Sequence, residues 1–422
     1  MRFSRLVRLL PLLVLVFVSR VVASSPDPLD AVHVYLITVG PGAEVYEKFG
    51  HNMIRFVGPA AALGQREDID VAFNWGVFSF DQPNFIWHFI QGRMLYSTAA
   101  EDYPDQLEEY KQDDRSVWQQ ELNLTADQKQ RLWEILVNDI QPAHRDYRYD
   151  YYRDNCSTRS RDALDQVLNG QIRWQLESTP TSTSYRWHTR RLMQSNFWLY
   201  TALQYVLGHP TDQKIDAWQE CFLPVQMMHS LERVTVTDSA GKSTPLVLNQ
   251  NQIIQSSRYI ESGFLPNCFW IYATIGLALA AIFLLPCFVA MRWWLKIPWS
   301  IVAIGWCMLG GAAGSILVWL NCFTDHVASY RNENILQLSL LMAPLIVLLP
   351  FAVYGKRWAL KLALLVAGAQ ALLNVIGLLL KMFLAFNQPN WEIIALALPA
   401  NVALVIGLAA MSKRIQSLRH AK

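Results

Sequence analysis

Arg148-Tyr-Asp-Tyr-Tyr-Arg-Asp-Asn155-Cys156-Ser-Thr-Arg-Ser-Arg-Asp162 decides how the polar half of this chain folds. Tyr147, Tyr149 and Tyr151 alternate with Arg148, Asp150 and Tyr152, the two-residue period of a strand. Ala163, Leu164, Val167 and Leu168 then recur with helical spacing until Gly170 stops them. Cys156 falls at the changeover. A thiol at a helix N-terminus faces unpaired backbone N–H groups and the positive end of the helix dipole, and both favour the thiolate. The neighbouring arginines act in the same direction. Taken alone, a cysteine is more often a small buried hydrophobe, so the rest of the sequence has to supply its chemistry.

Upstream, the segments read as strands are His33-Val-Tyr-Leu-Ile-Thr-Val39, Phe49-Gly-His51-Asn-Met-Ile-Arg-Phe56 and Asp70-Val-Ala-Phe-Asn74-Trp-Gly-Val-Phe78. Thr125-Ala-Asp-Gln128 is a capping box opening a helix with Leu132, Ile135, Leu136 and Ile140 on one face. Residues 178–184 read as a Ser/Thr linker, and residues 234–248 as a β-hairpin around Gly241. At the N-terminus, Arg2, Arg5 and Arg8 precede an apolar run and Val-Val-Ala23, the pattern of a secretory signal. Arg20 also admits an uncleaved anchor. Export places the following domain in an oxidising compartment, where a free cysteine is unusual.

The 422 residues are 52% hydrophobic with a formal charge of +2, which excludes a nucleic-acid binder driven by overall basicity and a disordered chain. Charges thin out after Pro266. Apolar segments follow at 269–291, 298–320, 335–354, 362–386 and 391–411, each of the roughly 20 residues that a membrane crossing needs. Arg292, Lys296, Lys356, Arg357, Lys361, Lys413, Arg414, Arg419 and Lys422 fall on one side, which the positive-inside rule makes cytoplasmic. Arg331 lies on the other side, and Lys381 is near enough to a helix end to snorkel. Five crossings then put the polar domain outside, as the signal requires. The layout is signal 1–23, external α+β thiol domain 24–177, accessory region 178–267, an all-α membrane domain of five helices 268–412, and cytoplasmic tail 413–422.

A cysteine nucleophile needs a base, and the base needs an orienting group. His51 is the base, since Gly50 permits close approach; His33, His88, His144 and His188 are assigned packing or surface roles. Asn74, on the neighbouring strand, is the orienter, with Asn52 and Asp70 as rivals. The N–H groups of Cys156 and Ser157 could form part of an oxyanion hole. Thr324, Asp325, His326, Asn332, Glu333 and Asn334 crowd an external loop between the second and third crossings. They either cap two helices or bind headgroup or acceptor, with His326 as an alternative base. Cys221 and Cys268 could pair externally, with Cys322 nearby. No metal spacing or nucleotide-binding loop is present, so neither metal nor cofactor is expected.

Phe49-Gly-His51-Asn-Met-Ile-Arg55, Phe73-Asn-Trp-Gly-Val-Phe-Ser-Phe-Asp81, Gly92-Arg-Met-Leu-Tyr96 and Asp154-Asn-Cys156-Ser-Thr-Arg159 together resemble the periplasmic domain of the Lnb-type lipoprotein N-acyltransferases. The resemblance covers residues 31–170, matches 216–224 more weakly, and extends to Thr324-Asp-His326 and Asn332-Glu-Asn334. It implies a permuted NlpC-type, papain-like fold in which histidine precedes cysteine, an order shared with the lecithin:retinol acyltransferases. It also implies a catalytic pair of Cys156 and His51; Asn74 comes from strand order. Asn155, Ser157, Arg159, Asp70, Asp325, His326, Asn332 and Asn334 are candidates for substrate binding or support.

The implied reaction is phospholipid-dependent N-acylation of a lipoprotein's lipid-modified N-terminal cysteine through an acyl thioester on Cys156. The donor would be a membrane phospholipid, the acceptor a diacylglyceryl-modified lipoprotein, and the location a bacterial inner membrane with the C-terminus cytoplasmic. One rival keeps the thiol but hydrolyses, as a cell-wall peptidase or phospholipase. Another is a non-catalytic receptor or transporter, against which the scarcity of charges inside the crossings argues.

Overall fold

The computed structural model describes residues 27–420 apart from 65–66, 80, 82, 238–240 and 258–260; the signal segment 1–23 lies outside the described residues. In chain order the first elements are β1 (His33–Val39), β2 (His51–Gly58), β3 (Ile69–Val77), α1 (Phe85–Gln91), β4 (Leu95–Asp102), α2 (Tyr103–Gln112), β5 (Val117–Leu122), α3 (Ala126–Asp139), β6 (Asp146–Arg148) and α4 (Cys156–Val167). Then come α5 (Gln171–Glu177), β7 (Pro180–Ser184), α6 (Tyr185–Met193), α7 (Phe197–Val206), β8 (Lys214–Asp216), α8 (Ala217–Glu220), α9 (Pro224–Leu231), β9 (Thr235–Thr237), β10 (Ser243–Pro245) and β11 (Val247–Ile254).

A seven-stranded sheet in the order β11-β5-β1-β2-β3-β4-β6 is the frame of the N-terminal domain. Its pairings are antiparallel. Alternation along β1 sends Val34 and Leu36 into a core with Ile54, Phe56 and Phe73, closed by Leu132 and Leu136 of α3 and Leu164 and Val167 of α4. Ile37 and Val39 face the other way, against Met53, Ala72 and Tyr103. The capping box at Thr125 opens α3 as expected, and β9 and β10 form the hairpin around Gly241. The accessory region 178–267 contributes β11 to the sheet edge.

Two expectations are corrected. The tyrosine-rich strand ends at Arg148, because Asp150 turns the chain: its carboxylate accepts from the Tyr152 and Arg153 N–H groups at 2.9 and 3.0 Å. An Asp150–Asp154 bridge closes that turn and delivers Cys156 to the start of α4. Within the supposed linker, residues 180–184 form β7, paired with β8.

The helical half contains α10 (Phe269–Phe288), α11 (Trp293–Phe323), α12 (Ala343–Val353), α13 (Arg357–Leu380) and α14 (Trp391–His420). By length and composition, five segments of the described residues could cross a membrane. The third, Glu333–Val353, is composite, since its α-helix begins only at Ala343, with Pro344 in the first turn. The stretch before it holds only short 3₁₀ turns, Glu333–Leu336 and Leu340–Met342, so its carbonyls need other internal hydrogen-bond partners. Gln370 and Asn374 donate to the carbonyls of Leu336 and Gln337, and Asn401 also donates to Gln337.

Helices α6 and α7 join the two halves: Arg190 and Tyr200 hold Glu392 of α14 at 2.9 and 2.8 Å. Beneath them Arg186 pairs with Asp212 at 2.5 Å, the two side chains being 1% and 3% exposed. Arg186→Leu should strand the Asp212 carboxylate and lower unfolding free energy by about 3–5 kcal/mol, measurable by denaturant titration. A loss below about 1 kcal/mol would contradict this.

Candidate active site

Cys156 is the first residue of α4 and Asn155 its N-cap. The Asn155 side chain accepts from the Thr158 N–H at 2.9 Å, while its amide donates to the carbonyls of Tyr151 (3.0 Å) and Phe222 (2.9 Å). Asn155 therefore fixes both the turn and the helix start. Arg159 is bidentate to Asp154 at 2.6 and 3.0 Å and stacks on Tyr147, which locks the same turn.

Met53 pairs with Asn74 across β2 and β3, and His51 lies two residues along β2, hence on the same face. The resulting bond is 2.9 Å between His51 Nε2 and Asn74 Oδ1. Because an amide oxygen only accepts, Nε2 carries the proton, which leaves Nδ1 for Cys156. The Asn74 amide donates in turn to Glu101 Oε2 at 3.0 Å, and Gln106 donates to the same oxygen. The rivals for Asn74 are engaged elsewhere. Asn52 bonds Ile37 O, Thr38 and Ser157, while Asp70 is bidentate to Arg55.

Two glycines shape the approach. Gly50 has φ +81°, and a Cβ there would lie 2.5 Å from the Val39 carbonyl oxygen. Gly76, with φ +89°, lies between Trp75 and Val77, where the β3–β4 register shifts in a bulge. It adjoins Cys156, and both line a cavity of about 150 Å³ together with His51, Tyr46, Phe78 and Tyr96.

The electrostatics favour a thiolate–imidazolium pair. Burial pushes the Cys156 thiol up, but the His51 charge, a hydrogen bond from His51, and the backbone N–H groups of Asn52 and Ser157 bring it below its ordinary value. Burial pushes His51 down, yet the Cys156 charge and the hydrogen bonds to Cys156 and Asn74 leave it raised. Such a pair is a nucleophile with its acid–base partner in place. Alkylation of Cys156 by iodoacetamide should accordingly persist to lower pH than for a free thiol of pKa about 8.5. It should fade only as pH falls through the depressed thiol value, and a rate profile centred at the free-thiol value would contradict the pairing.

The remaining candidates are dispersed. The Ser157 hydroxyl is fully buried and bonds Asn52 and the Cys221 carbonyl, so only its N–H faces the thiolate. Asp325 binds Arg93 at 2.9 Å and Arg148 at 3.5 Å, and His326 bonds the Phe89 carbonyl at 3.0 Å. The amides of Asn332 and Asn334 cap carbonyls at the end of α7, including that of Tyr205 at 2.8 Å from each. The loop thus caps helices and docks onto α1, rather than presenting these amides to a ligand. Cys221, Cys268 and Cys322 are free thiols. Among the described residues, no group of three or more His, Cys, Asp or Glu could hold a metal.

Sequence reasoning missed Glu101, Gln106 and Arg115. Glu101 and Gln106 set the Asn74 amide. Arg115 is buried beside the cavity, bonds the Gly40 carbonyl at 3.0 Å, and opposes protonation of His51. The β4 register and the α2 contact that bring Glu101 and Gln106 together carry no sequence motif.

Residues 25–195 match the family model described as the Lnb N-terminal periplasmic domain. The match runs past residue 170 and through α6. No curated protein and no solved structure matches the chain.

Proposed function

We propose that this Lnb-type membrane protein, with its periplasmic N-terminal domain, transfers an acyl chain from a phospholipid to the α-amino group of a lipid-modified N-terminal cysteine. The observation that carries the reading is the Cys156–His51–Asn74 relay on a domain joined to five candidate membrane crossings. Histidine on an early strand and cysteine at a later helix start support reading the domain as permuted papain-like. The location is the inner membrane, with the C-terminus cytoplasmic.

The Cys156 thiolate attacks the ester carbonyl carbon, and the Asn52 and Ser157 N–H groups, which face the sulfur, lie beside the oxyanion that forms. His51, protonated in the ion pair, gives its proton to the departing lysophospholipid alkoxide. The product is an acyl thioester on Cys156 and a neutral His51. The acceptor amine has an ordinary pKa near 8 and is partly neutral at physiological pH. It attacks the thioester carbonyl, His51 takes its proton, and the thiolate leaves as the amide forms. Asn74 keeps the ring oriented throughout.

Mass spectrometry of a lipoprotein N-terminus tests this in a strain relying on the protein. An N-linked acyl chain should be present with the intact chain and absent when the gene is removed; an unchanged lipid pattern sinks the proposal. A thiol hydrolase would instead release free fatty acid or cut peptide without forming an amide.

A further inference from the structure

Helix α1, Phe85-Ile-Trp-His-Phe-Ile-Gln91, has no buried residue. Ile86 is 71% exposed, Phe89 57%, Trp87 48% and Ile90 41%. A contiguous apolar patch of this kind on a folded domain has a partner. Its position says which. Trp87 packs on Trp319 of α11 at 6.0 Å, and Trp319 stacks on Phe323 at the external end of that helix. The Asp325 N–H donates to the Gln91 carbonyl at 2.9 Å, and His326 holds the Phe89 carbonyl. The exposed apolar face of α11, through Ile316, Trp319 and Phe323, therefore continues onto α1. Tryptophans at such a level mark the membrane–water boundary.

Inward from α1 the same surface leads to the thiol. Phe85 stacks on Phe78 at 6.3 Å, and Phe78 packs against Tyr96 at 5.2 Å and Tyr46 at 6.0 Å. Phe78, Tyr96 and Tyr46 line the cavity that ends at Cys156 and His51. At about 150 Å³ that cavity has room for an ester carbonyl and a few methylene groups, so a long acyl chain has to lie mostly outside it.

We propose that α1 lies in the outer leaflet of the bilayer and that its apolar face, continued by Phe78 and Tyr46, is the path along which the donor's acyl chain reaches Cys156. The membrane contact stands on the exposed patch and its attachment to α11; the acyl path rests on the transfer reading above. An interfacial helix of this type is held by buried apolar area, and acidic residues on its lipid face weaken it.

The test uses the full chain in phosphatidylethanolamine–phosphatidylglycerol proteoliposomes. Benzoylphenylalanine placed at Ile86 should photo-crosslink phospholipid; crosslinking only to protein, or none, overturns the membrane contact. The Ile86→Glu/Phe89→Glu variant should form acyl-enzyme from vesicle lipid about tenfold more slowly or worse. Its Cys156 should react with iodoacetamide at the unsubstituted rate, which shows an intact site. Unchanged vesicle-dependent acylation overturns the path. Failure of the unsubstituted chain to form any acyl-enzyme sinks the transfer reading instead, and a lipid crosslink at Ile86 in that chain still establishes the membrane contact of α1.

Discussion

Cys156→Ala should abolish the proposed acyl transfer, with a fall of about 10⁴-fold or more, because the proposed covalent intermediate forms on its sulfur. The alternatives are positioned elsewhere. Ser157 turns its hydroxyl to Asn52 and the Cys221 carbonyl, and Cys221 is buried and donates to the Ala217 carbonyl. Burial also pushes the Cys221 thiol up to about 12, so it supplies no thiolate near neutral pH. The substitution removes one sulfur atom from a site that packs into the core beneath the sheet. Stability should therefore change by only about 1 kcal/mol, and a thermal melt separates loss of chemistry from loss of fold. Residual transfer above a few per cent from a folded Cys156→Ala protein would remove Cys156 from its role.

His51→Ala should cost about 10³-fold or more and change the thiol itself. The imidazolium is what offsets burial at Cys156, through its charge and its hydrogen bond. Without it burial dominates, so the thiol should titrate at higher pH and alkylate slowly at neutrality. Two measurements are thus coupled: acyl-enzyme formation disappears, and the alkylation profile moves to alkaline pH. A variant that loses transfer while keeping the wild-type alkylation profile would show that His51 positions substrate rather than ionising the thiol.

The parts of this site set by local sequence were legible. Asn155 before Cys156 is a strong cap, and the periodicity of Ala163, Leu164 and Val167 fixes which face of α4 is buried. His51 and Asn74 could be brought together because adjacent antiparallel strands need only a register. What was not legible depends on the path of the chain between elements. Tyr149 and Tyr151 continue the alternation of the strand, but the Asp150 side chain captures two backbone N–H groups and ends it. The Thr and Ser residues of 180–184 look like a linker, yet suit a strand once β8 is beside them. Hydropathy reports the third crossing as one apolar run, whereas Pro344 sets a helix start inside it and Gln370 and Asn374, on another helix, satisfy the carbonyls before it. The polar loop residues Asn332 and Asn334 resembled ligand-binding groups for the same reason: their partners, the carbonyls at the end of α7, lie more than a hundred residues away.

On the proposed mechanism Cys156 carries an acyl group between a lipid ester and an amine. Intact-protein mass spectrometry after incubation with phospholipid vesicles and no acceptor should show a hydroxylamine-sensitive mass gain of one acyl chain, mapping to the peptide with Cys156. Adding an amine-terminal diacylglyceryl lipopeptide should discharge that mass onto the lipopeptide as an amide. An unmodified Cys156, or a thioester that decays to free fatty acid at the same rate with and without lipopeptide, would contradict the account.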